Sequence, residues 1–169
     1  MANLLTQLSK KNRTDEFLEA IRTFDQRVVG LEPGIRGTTP TVLVDLNLPT
    51  KLPINVLGDG FCRISLMVTG LLGIGPRILA VDEIDAGLHA SIMVAFWKNL
   101  VKLAGRMGKQ IFCTTHNEEM LSHTIEAFAD SKDALRIYRL DRIGEGQVQA
   151  TKYTYETYSR SESLGLDIR

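Results

Sequence analysis

Residues 78–88 read ILAVDEIDAGL, in which four apolar residues end at two adjacent carboxylates and lead into a turn that contains glycine. An apolar run of this length is typical of a strand buried on both faces of a parallel sheet, and such strands present functional groups at their carboxyl ends. Asp82 and Glu83 stand at that end. Two carboxylates in this position indicate a site for Mg²⁺ bound to phosphate.

A second segment, residues 110–115, repeats this arrangement. Its sequence QIFCTT predicts another short buried strand, and His116 follows at the carboxyl end. Asn117 can cap the helix that comes next, and Glu118 and Glu119 suit the positive N-terminal end of that helix. The pattern is the same in both places, an apolar run followed by a polar residue and then a helix.

Helical patterns occupy three other parts of the chain. Residues 14–16 form a helix start before an apolar face that extends to residue 24. A turn rich in glycine precedes a predicted helix over residues 61–72, and another helix is predicted over residues 89–105. The last of these has a predicted buried side that comprises Ile92, Ala95, Phe96, Leu100 and Leu103.

Further strands are predicted outside this central part. Apolar and polar residues alternate over residues 42–47, and residues 134–140 and 147–154 form a predicted hairpin around the turn at 142–146. No repeat or long linker interrupts the sequence. Residues 1–169 are therefore predicted to form a single α/β domain, in which helices flank a mostly parallel sheet.

Composition excludes some functions and leaves others open. The 20 basic and 20 acidic residues cancel, so any contact with nucleic acid would depend on local charge. Two cysteines, Cys62 and Cys113, lack the CxxC spacing of a metal site and, like Trp97, fit core or interface packing. Because the sequence has no apolar run of membrane-spanning length and no signal-peptide pattern, we expect a cytoplasmic protein without membrane contact.

Three motifs together resemble a known family. LGDGFCR at residues 57–63, AVDEIDAGLH at 80–89 and IFCTTHNEEML at 111–121 are similar to the second half of an ABC-type P-loop ATPase. The sequences of these motifs are most similar to those of the AAA/OLD-family ATPases, which are relatives of SMC-type head domains. The resemblance extends from about residue 15 to the closing LGLDIR and implies the C-terminal half of a P-loop NTPase fold.

The resemblance implies roles for three residues. Asp82 matches the Walker B aspartate, which holds Mg²⁺ beside the β- and γ-phosphates of ATP. Glu83 matches the adjacent glutamate, which orients and deprotonates the attacking water and needs a carboxylate within hydrogen-bond reach. His116 matches the switch histidine, whose imidazole can donate a hydrogen bond to the γ-phosphate. ATP and Mg²⁺ are thus the implied cofactors.

The turn before residue 61 corresponds to the signature segment of this family. Gly58, Asp59 and Gly60 would face the γ-phosphate of a nucleotide held by the opposite subunit, because helix N-termini bind anions. Gly58 stands where transporters usually have serine. Asp59 is electrostatically unfavourable beside a triphosphate unless Mg²⁺ or Arg63 offsets its charge, and a simple helix entry rich in glycine remains the alternative.

The turn after the acidic strand corresponds to the segment that contacts the second subunit of a dimer. Asp85, Gly87 and His89 would lie near the nucleotide there. Ordinary ABC transporters carry an aspartate at the position of His89, so transport is less well supported than nucleotide binding. A plain helix N-terminal role for His89 is equally compatible with the sequence.

One essential motif is missing from the sequence. A phosphate loop of the form GxxxxGK[ST] wraps phosphates with backbone N–H groups and a lysine, and the only Gly-Lys pair, Gly108-Lys109, has the wrong spacing and precedes a strand. We therefore expect a C-terminal lobe, either a fragment or a split subunit, whose partner or missing lobe carries the Walker A loop. The isolated chain is predicted to be inactive.

Three functions follow from these observations. The leading hypothesis is ATP hydrolysis in a composite site that drives association of two ATPase heads, as a homodimer or heterodimer, and gates another activity. A non-catalytic regulatory or interaction module is the second. A metal-dependent nuclease using Asp82, Glu83 and Asp85 is the third, although three acids on one tight turn do not converge well on two metal ions.

Overall fold

A computed structural model describes residues 1–73 and 77–164 of the chain, and it opens with a small helical and antiparallel unit. Helices α1 and α2 precede a three-stranded antiparallel sheet of order β1-β2-β3. The bounds are α1 Ala2–Ser9, α2 Thr14–Arg22, β1 Gly30–Arg36, β2 Thr39–Asp45 and β3 Leu52–Pro53. The predicted helix start at residue 14 and the strand near residues 42–47 are confirmed.

The central part alternates helices with a parallel strand pair. After a short 3-10 helix at Ile54–Leu57, the elements are α3 Asp59–Leu72, β4 Ile78–Val81, α4 Ala90–Arg106, β5 Gln110–Cys113 and α5 Glu118–Ala127. Strands β4 and β5 pair in parallel. These elements confirm the predicted helices at 61–72 and 89–105, and they confirm the cap of α5, where the Asn117 side chain accepts a hydrogen bond from the Met120 amide.

A hairpin and a final helix complete the described chain. The elements are a 3-10 turn at Lys132–Ala134, β6 Arg136–Gly144, β7 Gln147–Thr154 and α6 Tyr155–Ser163. The predicted hairpin is confirmed, but its turn is shorter than predicted because β6 continues through a bulge between Arg142 and Gly144. Helix α6 was not predicted, and residues 165–169, which include most of LGLDIR, lie outside the described residues.

The hydrophobic core is built mainly between helices. Helix α3 buries Ile64, Met67, Val68, Leu71 and Leu72, which recur at helical spacing. Helix α4 buries Phe96, Leu100 and Leu103 as predicted, together with Met93 and Trp97. Ala95 was predicted on this buried side and is exposed, because it lies on the face opposite these residues. Aromatic contacts extend the core from Phe96 to Trp97 and from Trp97 to Phe128.

Two cations hold the C-terminal end of α3. The Lys109 ammonium donates to the carbonyls of Gly70 and Gly73, each at 2.8 Å, and Arg13 donates to the Leu72 carbonyl at 2.6 Å. The last carbonyls of a helix lack partners within the helix and carry partial negative charge, so cations are favourable there. Lys109, from the one Gly-Lys pair of the sequence, therefore binds a helix terminus. This contact agrees with the prediction that the pair is not part of a phosphate loop.

The prediction that β4 and β5 are buried on both faces is wrong for this chain. Ile78 in β4 is 52% exposed and Phe112 in β5 is 53% exposed. The reason is that the sheet contains two strands within residues 1–73 and 77–164, and the described helices do not cover both of its faces. Parallel sheets usually have both faces covered. None of the described helices is long and apolar enough to cross a membrane.

Candidate functional site

The carboxyl ends of β4 and β5 lie side by side. Val81 and Cys113 are register partners, the Thr114 amide donates to the Val81 carbonyl at 3.0 Å, and the Ile84 amide donates to the Thr114 carbonyl at 3.0 Å. The ladder therefore continues past both strands. This pairing brings the acidic turn together with the segment that contains His116.

Glu83 and His116 face each other across this edge. His116 Nδ1 lies 3.8 Å from Glu83 Oε1, and the two side chains are 81% and 58% exposed, respectively. A carboxylate and an imidazole at this distance can both reach a small ligand that lies between or above them. The sequence predicted both residues as catalytic, and the fold places them together at an open edge.

Asp82 is oriented by a residue that directly follows β5. The Thr114 hydroxyl donates to Asp82 Oδ1 and accepts a hydrogen bond from the Glu83 amide at 3.0 Å. Within the described chain, the second carboxylate oxygen of Asp82 makes no hydrogen bond. A fixed carboxylate with one available oxygen fits a single hard-cation ligand, as Mg²⁺ requires when phosphates and water complete its coordination.

A second threonine holds the other end of the acidic turn. The Thr115 hydroxyl donates to Asp85 Oδ1 at 2.5 Å and accepts from the Asn117 amide at 3.1 Å. Asp85 thus points to Thr115 and does not converge with Asp82 and Glu83. Sequence reasoning placed Thr114 and Thr115 inside the predicted strand and missed their role, although two consecutive hydroxyl residues next to His116 were the available signal.

The Gly58 to Gly60 turn packs on the acidic turn. Gly58 has a φ of 90° and caps α3, with its carbonyl accepting from the Cys62 amide at 3.2 Å. A Cβ on Gly60 would lie 2.1 Å from the Gly87 carbonyl oxygen, so only glycine allows the two backbones to approach this closely. Asp59 is exposed at the start of the helix. The structure therefore joins the predicted signature turn to the predicted dimer-contact turn.

Arg63 forms a further link between these two turns. Its Nη2 donates to the carbonyls of Asp82 and Glu83, each at 2.8 Å. The sequence analysis offered Arg63 as a counter-charge for Asp59, whereas its hydrogen bonds in the structure go to the acidic turn. Glu83 itself has a φ of 47°, which is uncommon for a residue other than glycine and costs about 1 kcal/mol or more.

The comparison with protein families agrees with this arrangement. A family model described as "AAA domain, putative AbiEii toxin, Type IV TA system" matches residues 5–122. The chain belongs to this family. It is an ATPase-like domain of the ABC/AAA-type P-loop class, and the match spans every residue of the site described above.

One curated relative and one solved structure that resemble the AAA-family chain are both longer than it. It is 23% identical over 125 residues to an ATP/GTP phosphatase of Helicobacter pylori, covering 72% of this chain and 33% of that protein. The chain thus spans about a third of that relative's length. Its fold resembles an Smc head bound to the C-winged helix domain of ScpA, with a TM-score of 0.61 and 10% identity over 87% of this chain and 44% of the other.

A second fold neighbour has nearly the same extent as this AAA-family chain. This solved structure concerns ATP-driven dimerization and DNA stimulated activation of SMC ATPases. It shares 11% sequence identity with this chain, at a TM-score of 0.55. The match covers 94% of this chain and 96% of that one. This chain therefore shares the α/β fold of SMC ATPase heads with both solved structures.

The remaining predicted residues have structural roles within this AAA-family fold. His89 caps α4, where its Nδ1 accepts from the Ser91 amide at 3.3 Å, so the plain helix N-terminal role is observed. The Cys62 thiol lies 3.6 Å from the Ile54 carbonyl. Although Cys113 as a residue is exposed, packing around its sulfur and the charge of Asp85 raise the pKa of its thiol to about 11.

Proposed function

We propose that this chain supplies the hydrolytic half of a composite ATPase site. The observation that carries the proposal is the placement of Glu83 beside His116, 3.8 Å apart, at the common end of two parallel strands. The exposure of both side chains leaves room for a nucleotide, and neither residue is needed by the hydrophobic core. Membership in an ATPase-like family supports the choice of ligand.

Each residue of the site has a role that its position supports. Asp82, held by Thr114, would bind Mg²⁺ through its available oxygen, and Mg²⁺ when bound neutralises charge on the phosphates. Glu83 would accept a proton from the attacking water. His116 would donate a hydrogen bond to the γ-phosphate. The hydrogen bonds of Thr114 and Thr115 hold the backbone segment that carries His116.

The phosphate-binding half of the site would come from a separate segment, in a second chain or elsewhere in a longer protein. The exposed apolar residues of β4 and β5, Ile78 and Phe112, support this part of the proposal, because a covering lobe would bury them. The extents of the two solved neighbours agree with it, since this fold covers 96% of one SMC chain and 44% of another.

Association of two such heads is the second part of the proposal. Gly58 and Asp59 are exposed at the helix entry, Gly60 beside them is partly buried, and Asp85, Gly87 and His89 lie on the turn that packs against this entry. This joint surface would face the nucleotide of the opposite subunit. One solved neighbour concerns the ATP-driven dimerization of SMC ATPases, which supports this surface as the contact between two heads. The zero net charge of the chain gives no overall attraction for nucleic acid as a downstream partner.

The test is nucleotide binding by the chain alone and then with an added lobe that carries a phosphate loop. We expect tight binding of Mg²⁺-ATP in the mixture only, because a missing phosphate cradle removes several charge-assisted hydrogen bonds of about 1.5–3 kcal/mol each. In the mixture, Glu83→Gln should lower turnover by roughly 100-fold or more while nucleotide binding persists.

Glu119→Gln is the matched control for Glu83→Gln. Glu119 is an exposed acid in the first turn of α5, so the substitution removes the same charge near the site and should leave turnover unchanged. Robust hydrolysis by the isolated chain that Glu83→Gln abolishes would contradict the composite site. Binding in the mixture without any hydrolysis would instead identify a regulatory module.

A further inference from the structure

We infer that Arg63 is a positioning residue for Glu83. One guanidinium nitrogen, Nη2, donates to the carbonyl oxygens of Asp82 and Glu83 at 2.8 Å each. The contact joins α3 to a turn about 20 residues later in the chain. This inference rests on the proposed function of Glu83 and concerns how its backbone is held.

The backbone of Glu83 needs such support because of its conformation. Its φ of 47° lies in the left-handed region, where a side chain with a Cβ is disfavoured. The Glu83 amide donates to the Thr114 hydroxyl at 3.0 Å, and the Glu83 carbonyl accepts from Arg63. The residue is thus held from both sides, by Thr114, which follows β5, at its amide and by α3 at its carbonyl.

The same end of α3 also contacts the far end of the acidic turn. Gly60 touches the backbone of Gly87, and Arg63 lies three positions after Gly60 on the helix. Both ends of the 82–88 turn therefore rest on the first turns of α3. Any displacement of the Gly58 to Gly60 entry would be transmitted to Glu83 through Arg63.

This arrangement predicts an effect on the chemical step and little effect on binding. Arg63 donates to backbone carbonyls, so its loss would let the Glu83 peptide relax while the Asp82 carboxylate keeps its Thr114 partner. A small displacement of a catalytic group costs far more in rate than in affinity. The planar guanidinium, with two N–H groups on Nη2, suits two adjacent carbonyls better than an ammonium does.

The first experiment needs no nucleotide. Amide hydrogen exchange is measured at Ile84 and Ala86, whose N–H groups donate to Thr114 and Glu83 carbonyls, in the whole chain carrying Arg63→Met. We expect exchange at both amides to accelerate by at least about tenfold, while amides of the β6–β7 hairpin that exchange by local opening keep their wild-type rates. The matched control is Arg136→Met, since Arg136 also donates to two backbone carbonyls, those of Asp133 and Leu135, far along the chain.

The second experiment uses the chain complemented with a phosphate-loop lobe. Arg63→Met should lower kcat by roughly 100-fold with KM for ATP unchanged, Arg63→Lys should recover part of the loss, and Arg136→Met should match the wild type. Unchanged exchange at Ile84 and Ala86, or a rise in KM at constant kcat, would overturn the inference. If the wild-type mixture does not hydrolyse ATP, the proposed function fails, and the exchange result still decides whether Arg63 holds the turn.

Discussion

The inner faces of the helices and the strands of the parallel pair differ in how completely this chain covers them. Phe96 in α4 is fully buried, whereas Phe112 in β5 is 53% exposed. Both belong to apolar runs that local pattern marks as buried. Within the described chain, the inner faces of the helices are therefore buried against one another, whereas β4 and β5 are buried on only part of their surface. The candidate site lies on the less covered elements.

The largest expected effect comes from the buried core between the helices. Phe96→Ala removes a buried ring that packs against Phe24 and Trp97, and it should lower the free energy of unfolding by about 3–5 kcal/mol or leave the chain unfolded. Urea denaturation of the purified chain measures this change. A loss below about 1 kcal/mol would show that the helical layer is not the core that the contacts indicate.

An intermediate effect is expected where α3 meets the acidic turn. Gly60→Ala would place a Cβ 2.1 Å from the Gly87 carbonyl oxygen, so the turn must shift, at a cost of about 1–3 kcal/mol. Gly105→Ala in α4 is the control, because nothing lies within 4 Å of its Cβ and the change should stabilise the helix by about 0.5–1 kcal/mol. Equal results from the two variants in thermal unfolding would disprove the close packing of Gly60 on Gly87.

A smaller effect is expected on the exposed side of the comparison. Phe112→Ala should change the stability of the chain by less than about 0.5–1 kcal/mol, far below the loss from Phe96→Ala, because Phe112 is 53% exposed. The same variant should weaken binding of a phosphate-loop lobe, which titration calorimetry can measure. Large destabilisation of the isolated chain would mean that β5 is covered after all.

The smallest effect concerns acid sensitivity at the α2 surface. A hydrogen bond from Arg13, together with its charge, lowers the pKa of the Glu16 carboxyl, and Arg106 adds to this. The ionised Glu16 therefore stabilises the fold above its unfolded-state pKa, and this contribution is lost as the pH falls through the lower folded-state pKa. Because the pair is partly exposed, Glu16→Gln should cost only about 0.5 kcal/mol at pH 7.

The loss from Glu16→Gln should shrink towards zero below about pH 4 and diminish in high salt. Glu19→Gln on the same helix is the control, since Glu19 is exposed and makes no ion pair within the described chain. Stability curves between pH 3 and pH 7 distinguish the two. A Glu16 variant whose loss grows as the pH falls would have the opposite sign from that expected.

The elements around the site were predictable because their signals are local. The apolar spacing of α3 and α4, the Asn117 cap and the alternation of the hairpin are all read within about 15 residues. The two strand ends at Asp82 and His116 were located in the same way. Helix α6 was missed because its polar sequence has no strong apolar face, and its Tyr158 is buried through contact with the hairpin.

The partners of the site residues required the tertiary structure. Arg63, Thr114 and Thr115 act across separations of about 20 to 32 residues, and residue type alone did not reveal which oxygen each would meet. The same holds for Lys109, whose position before a strand excluded a phosphate loop but did not indicate the end of α3. Long-range hydrogen bonds depend on how elements pack, which a local pattern does not encode.

By itself, the sequence determined where the central helices, the parallel strand pair and the hairpin lie, and that the two parallel strands end in residues suited to nucleotide chemistry. Periodicity and helix caps act over a few residues, so they survive in any arrangement of the elements. Only the tertiary structure decided that Glu83 meets His116, that α3 holds the acidic turn through Gly60 and Arg63, and that β4 and β5 remain partly exposed. Exposure depends on what the rest of the molecule places over a strand, and no spacing of residues within that strand specifies it.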